Sequence, residues 1–274
     1  MDVGRVRAFS PRGQVTYAAR VSGREVTTPM SEDFVFDEAA PRAAVVIGDN
    51  EYAYRSAIAL ARRDLRVGVI VDNAPDDETY QGLVRSGLVS EYCCSFTDVS
   101  GAKNAIDSMA VQFGRLDILV NGVLEEDHAA PWRVSEEEFI YQERIDMKLP
   151  FFVFQASVPY MRKGGGGRVI NFSSVLSEYS DGITNPLLGM FKAGVNSMTR
   201  QWAVDLCNEH IVVNSLWIGS DDDACLPSPD EVANLVSFLA LDATVFINGT
   251  QLAVDRGASV LRQGARLPLI GTSR

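Results

Sequence analysis

From Arg42 onward, short runs of β-branched and other apolar residues alternate with helix-length segments, and this alternation constrains the fold more than any single motif does. Ala43–Ile47 and Arg66–Asp72 read as buried strands with a helix, Tyr52–Arg63, between them. Glu91–Phe96 reads as a weaker third strand, Gly101–Phe113 as a helix and Leu116–Val120 as a fourth strand. Ser135–Met161 reads as a long helical stretch interrupted near Pro150, and it is followed by a strand at Arg168–Phe172 and a helix at Leu187–Asn208. Ile211–Ile218, Asp230–Leu241 and Gln251–Asp255 complete the alternation. Strands separated by helices pair in parallel through crossovers, so the expected class is α/β: a doubly wound parallel sheet in three α/β/α layers.

The stretch before Arg42 has a different rhythm. Val3–Phe9, Gln14–Val21 and Arg24–Thr28 read as strands, with Pro11-Arg12-Gly13 and Ser22-Gly23 as turns, which predicts a short amino-terminal β-hairpin extension. Ser31–Pro41 is acidic and ends in proline, so it reads as a connector. The expected division is a β-rich extension and connector at 1–41 and one large domain at 42–274, for which a chain that is 46% apolar has ample core. A net charge of -11 argues against a nucleic-acid or anionic-membrane surface. No apolar run reaches the length of a membrane span, and MDVGRVRAFS lacks the apolar core of a signal peptide, so a cytoplasmic setting is expected. Cys93, Cys94, Cys207, Cys225, His128 and His210 have no metal-ligand spacing, and Asp221–Asp223 reads as a solvated turn; no metal is expected.

The segment from Gly167 to Ala203 joins a buried strand, a loop and a helix, with Ser174 at the strand end and Lys192 on the helix. Around it stand Asp98-Val99 after the third strand, Leu116 to Asn121 in the fourth, Lys192 to Arg200, and Phe246-Ile247-Asn248-Gly249-Thr250 leading to Val254-Asp255. In this order they resemble the short-chain dehydrogenase/reductase family from about Arg42 to Ser259. The resemblance implies a Rossmann-like fold, an NAD(P) cofactor and a Ser, Tyr-x-x-x-Lys catalytic set with a helper asparagine.

Against that pattern four parts are altered. Leu188 stands where the tyrosine belongs, and a leucine cannot pass a proton; Ser174 and Lys192 remain as family remnants. Asp146 occupies the position of the asparagine, where an ion pair with Lys192 would be a structural use of both. The glycine-rich phosphate loop keeps only Gly48, with Tyr52 and Tyr54 at the other two glycine positions. Asp72, Asp98 and Asn121 occupy the ribose, adenine and nicotinamide-side positions; the resemblance implies NAD if any cofactor binds, and the altered loop predicts that none does. After the fourth strand Asn121-Gly122-Val123-Leu124 stands where the family has Asn-Asn-Ala-Gly, so bulk replaces the glycine beside the nicotinamide; Asn121 is expected to tie backbone groups together, and the segment after Gly219 is too short for a substrate lid. Tyr179, in the loop between Ser174 and Lys192, is the alternative phenol.

The expected function is a non-catalytic subunit of this fold that pairs with a catalytically intact relative acting on a hydroxyacyl thioester, or with itself. Pairing would use two long helices, one carrying Phe151, Phe152, Phe154 and Met161 and the other Met190, Met198 and Trp202. The resemblance includes active and inactive pairings of the benzylsuccinate type. Two other readings stay open: a cofactor-independent lyase, cyclase or dehalogenase, and an active oxidoreductase using Tyr179.

Overall fold

In a computed structural model of the chain, the described residues are 7–9, 15–21, 24–27, 30–31, 33–124, 131–178, 186–219, 226–257 and 259–260. Strands β1 (Arg7–Phe9), β2 (Val15–Val21) and β3 (Arg24–Thr27) form an antiparallel meander of their own. The extension is therefore a three-stranded sheet rather than a hairpin, and among the described residues its strands pair only with one another.

Seven strands build the main sheet: β4 (Ala43–Ile47), β5 (Arg66–Val71), β6 (Val89–Cys93), β7 (Ile118–Asn121), β8 (Gly167–Ser174), β9 (Ile211–Ile218) and β10 (Gln251–Val254). All pair in parallel, in the order β10-β9-β8-β7-β4-β5-β6. The helices are α1 (Glu51–Ala61), α2 (Glu78–Arg85), α3 (Val99–Phe113), α4 (Glu136–Glu143), α5 (Leu149–Lys163), α6 (Pro186–Asp205) and α7 (Pro229–Leu239). Every residue of β4, β7 and β8 is buried, as a sheet covered on both faces requires. Pleating sends Val45, Leu119 and Val213 to the face covered by α3, α5 and α6, and Val46, Val120 and Leu216 to the face covered by α1 and α7. The strand order reverses between β4 and β7, so the crevice of a doubly wound sheet opens at their carboxyl ends, beside Gly48 and Gly122.

Several boundaries differ from the sequence reading. The third strand runs over Val89–Cys93 instead of Glu91–Phe96. Phe96 lies buried in the following turn, where its backbone N–H donates to Asp72. Helix α2 was not legible: it has eight residues and its one local signal is Asp77, whose side chain accepts from Tyr80 N at 2.8 Å. The long helical stretch is broken one turn before Pro150, by a π-helical turn at Arg144–Lys148. Proline at 150 has no N–H to offer the carbonyl of residue 146, and the backbone relaxes into the wider turn there. The connector is also more than a linker. Met30 and Phe34 pack on the core, Phe34 meets Tyr160 edge to face at 4.7 Å, and Asp37 N donates to Gly114 O at 2.9 Å.

Candidate active site

Strand β8 delivers Ser174 to the carboxyl edge of the sheet, and the chain turns at once through a short 3-10 segment, Val175–Ser177. Ser174 caps that turn: its Oγ accepts from Leu176 N at 3.2 Å while its carbonyl accepts from Ser177 Oγ at 2.6 Å. Leu188, on the first turn of α6, is 1% exposed and packs with Val175 and Leu176, with Leu124 and Trp217 against the same cluster. The position of the family phenol is thus part of an apolar plug.

One turn further along α6, Lys192 is 2% exposed and points its ammonium into the space between β7 and the π-helical turn. Its Nζ donates to Val123 O at 2.7 Å and lies 2.8 Å from Asp146 Oδ1, an ion pair whose alignment falls outside hydrogen-bond geometry. The other oxygen of Asp146 accepts from Gln142 Nε2. The π-helical turn is what aims Asp146 inward, since it buries Ile145 and Asp146 together. Among Ile47, Asn121, Phe172, Lys192 and Val195 the remaining space is about 10 Å³. That is room for about one water molecule, against the several hundred Å³ of an ordinary ligand pocket.

At the switch point the two strand ends are knit together. Gly122 N donates to Ile47 O at 2.7 Å. Asn50 caps α1 by accepting from Ala53 N at 3.0 Å, and its Nδ2 donates to Gly122 O at 2.6 Å. Gly48, at φ +152°, has a packing reason to be glycine: a Cβ there would come within 2.8 Å of both Ala53 Cβ and Gly122 O. Tyr52 reaches from the first turn of α1 to the segment preceding α7, where its hydroxyl donates to Pro227 O at 3.2 Å. Tyr54 turns back, donating to Asp49 O and lying 5.5 Å from the Tyr80 ring, and burial together with Asp49 and Glu91 pushes its pKa up to about 12.

Four acidic groups occupy this end. Asp49 is half-buried, and burial, followed by the Asp72 carboxylate, raises its pKa above the usual range. Glu51 stands in the first turn of α1. Asp72 accepts from Phe96 N at 3.1 Å and from Ser95 Oγ at 3.5 Å, which ties it to the turn after β6. Asp98 is the N-cap of α3 and accepts from Ser100 N at 3.1 Å. Asn121 ties a side chain rather than backbone groups: its Nδ2 donates to Asn171 Oδ1 at 2.7 Å, and Asn171 Nδ2 donates to Thr199 Oγ1 at 2.9 Å.

The geometry therefore brings Lys192 and Asp146 together, sets Ser174 and Leu188 beside them in separate capping and packing roles, and places Gly48, Asp72, Asp98 and Asn121 along the crevice. Tyr179 and Asp221–Asp223 lie outside the described residues. Sequence reasoning missed Asn50, Asp49, Gln142, Asn171 and Thr199. Asp49 and Asn50 fall in the variable slots of the phosphate loop, and an Asn three residues before Ala53 was a cap signal that could have been read. Strand β9 is joined to α7 by residues 219–228, of which 220–225, where the lid was expected to be missing, lie outside the described residues. Phe154, Met161 and Trp202 face inward, with Phe154 stacked on Trp202 at 3.7 Å, whereas Phe151 and Met190 are exposed on α5 and α6.

Comparison with known proteins agrees with this architecture. The family model described as Enoyl-(Acyl carrier protein) reductase matches residues 49–220. The chain is 31% identical over 192 residues to 3-oxoacyl-(acyl-carrier-protein) reductase FabG of Thermotoga maritima, covering 62% of this chain and 77% of that one. It is 30% identical over 184 residues to subunit BbsD of the (2S)-[(R)-hydroxy(phenyl)methyl]succinyl-CoA dehydrogenase of Thauera aromatica (58% and 73% covered), and 23% identical over 236 residues to subunit BbsC (79% and 94%). A short-chain dehydrogenase/reductase structure from Burkholderia xenovorans superimposes with a TM-score of 0.73 at 22% identity, covering 81% of this chain and 98% of that one. Acetoin dehydrogenase YohF from Salmonella typhimurium does so with a TM-score of 0.71 at 22% identity, covering 84% and 99%. No helix among the described residues is long and apolar enough to cross a membrane. With the parallel order of its sheet, the Ser174 and Lys192 positions and these matches in hand, the chain belongs to the short-chain dehydrogenase/reductase family.

Proposed function

We propose that this chain is a non-catalytic member of its oxidoreductase family, a subunit that assembles with a catalytically intact relative and supports that relative's reaction. The observation that carries the reading is Lys192. In the family reaction a lysine ammonium lowers the pKa of a neighbouring phenol; here the ammonium is committed to Asp146 and Val123 O, and its neighbour one turn back is the buried Leu188. Among the described residues the space beside it is about 10 Å³, far below the several hundred Å³ of an ordinary ligand pocket.

The crevice residues do not fit a dinucleotide. A pyrophosphate needs free backbone N–H groups at a helix amino terminus and no competing anion. Asn50 already caps α1, Asp49, Glu51 and Asp72 carry negative charge there, and Tyr52 spans the crevice to Pro227. No step of chemistry is therefore assigned to a nicotinamide in this chain.

Assembly is supported by the exposed Phe151 and Met190 on the outer faces of α5 and α6, and by the matches to two proteins named as subunits of one dehydrogenase. The acyl thioester in that name suggests the class of substrate that the intact partner would take. The test is co-expression with an intact relative from the same genome, followed by native mass measurement. A mixed assembly is expected; separate homo-oligomers alone would refute the pairing.

A further inference from the structure

We infer that the amino ends of β4 and β8 form a phosphate site, built on Arg42 and Arg168 and covered by Asp242 as a tethered carboxylate. It lies at the opposite end of the sheet from the crevice and does not depend on how the crevice is read. Pleating decides which side chains meet there. In the parallel register Ala44 stands beside Ile118, and Ile118 beside Arg168. Ala44, Ile118 and Ile170 belong to the apolar cluster under α1 and α7, together with Leu239 and Ala240 at the end of α7. Arg42 lies two residues before Ala44 and Arg168 two before Ile170, so both arginines project to that same face. Two strands apart, they flank Ile118 with about 10–12 Å between their Cα atoms, and their long side chains converge from there.

They converge on one oxygen. Asp242, the first residue of the 3-10 turn Asp242–Thr244 after α7, accepts at Oδ1 from Arg42 Nη1 at 3.2 Å and from Arg168 Nη2 at 3.3 Å. Both contacts are long for charge-assisted bonds, which run at about 2.7–2.9 Å. The Asp242 side chain is 79% exposed, against 9% for Arg168 and 30% for Arg42. Among the described residues, one surface carboxylate thus answers two guanidiniums, which leaves a cation in excess. The rest of Arg168 is no better served: Nη1 donates to Gly167 O at 2.9 Å, and among the described residues its buried Nε has no partner. Burial, opposed by Asp242 and reinforced by Arg42, lowers the Arg168 pKa from its ordinary value, as an under-compensated buried cation requires.

The donor arrangement selects the ligand class. A planar carboxylate pairs best with a single guanidinium fork, using both of its oxygens. Here the donors come from two forks rooted on different strands, and Asp242 offers Oδ1 alone to both. A tetrahedral oxyanion directs separate oxygens at each fork, and a phosphate dianion matches the charge of two guanidiniums. Asp242 can give way to it. The turn beneath is pinned by the buried Thr244, whose Oγ1 donates to Leu239 O and Leu241 O, at 3.0 and 2.7 Å, while the Asp242 side chain stands in solvent. The ligand chemistry is therefore a phosphate group, free or as a monoester.

The experiment follows thermal melting of the full-length chain at neutral pH as chloride is exchanged for inorganic phosphate at constant ionic strength, with glycerol phosphate and acetate as further anions. Arg42→Gln and Asp242→Ala are measured beside the wild type. Wild type is expected to gain roughly 2–4 °C in about 20 mM phosphate, and Arg42→Gln to lose that gain. Asp242→Ala should melt below wild type in chloride, recover in phosphate, and half-saturate at a concentration at least about threefold lower, because the tethered competitor is gone. Earlier saturation by the monoester identifies a phosphorylated ligand and the reverse identifies the free ion; either supports the site. An equal gain in Arg42→Gln would mark a general salt effect and overturn the inference. Asp242→Ala melting equally low in chloride and in phosphate would also overturn it, and because only an exposed side chain changes, this arm holds even where Arg42→Gln melts early. Equal recovery of Asp242→Ala in acetate would overturn the assignment to phosphate. None of these outcomes bears on the crevice or on assembly.

Discussion

Replacing Lys192 by methionine separates a structural lysine from a catalytic one. Methionine keeps much of the stem and removes the charge. Asp146, fully buried, then loses its 2.8 Å partner and keeps Gln142 as a neutral donor, while Val123 O loses its 2.7 Å donor. Breaking one side of a buried ion pair costs about 3–5 kcal/mol, and an unmet buried carbonyl adds about 1 kcal/mol. At about 2–4 °C per kcal/mol for a chain of this size, the melting temperature should fall by roughly 8–24 °C. The double variant Lys192→Met/Asp146→Leu removes both charges, so it should lie within about 2 kcal/mol of wild type and be more stable than Lys192→Met alone. Urea and thermal melts at neutral pH measure four proteins: the wild type, each single variant, Lys192→Met and Asp146→Leu, and the double variant. A single variant within about 1 kcal/mol of wild type, or a double variant as damaged as the sum of the two singles, would refute the reasoning.

Leu188→Tyr restores the missing phenol in name only. It forces a hydroxyl into the Val175, Leu176 and Leu188 cluster, and should cost about 1–3 kcal/mol with no nicotinamide oxidation over a carbonyl panel; measurable turnover would count against a closed site. Asn50→Ala removes the cap on α1 and the bond to Gly122 O, so denaturation should show a loss of about 1–2 kcal/mol without any gain of nucleotide binding. Burial, then Asp98 and Asp72, push the Cys94 thiol from 9.0 up to about 11. Its raised folded-state pKa gives a stability contribution that is complete below about pH 9 and lost as pH rises through about 11, and Cys94→Ala should flatten that alkaline fall in melting temperature. At pH 8 alkylation of Cys94 should run at least about tenfold slower than that of a free thiol, and mass-resolved labelling rates would expose any reactive role.

The sheet was legible because its central strands, β4, β7 and β8, are buried on both faces and carry largely apolar runs that need no partner to be recognised. Leu188 was legible as a loss because a single position carried the expectation. What Lys192 does could only be half read. The Asp146 partner followed from position, but the π-helical turn that aims it and the Gln142 behind it depend on how Pro150 unsettles one turn of helix. Asn121, Asn171 and Thr199 were illegible as a chain because they come from β7, β8 and α6, at separations no local pattern reports. The connector misled in another way: its acidic composition hid Phe34 and Phe36, which dock it on Tyr160 and Arg115.

The central claim is that this crevice does not hold a nicotinamide dinucleotide, and calorimetric titration of the purified chain with NADH and NADPH tests it directly. The account predicts no saturable heat up to about 1 mM nucleotide, a binding free energy weaker than about -4 kcal/mol. A stoichiometric isotherm with a dissociation constant in the micromolar range would contradict it.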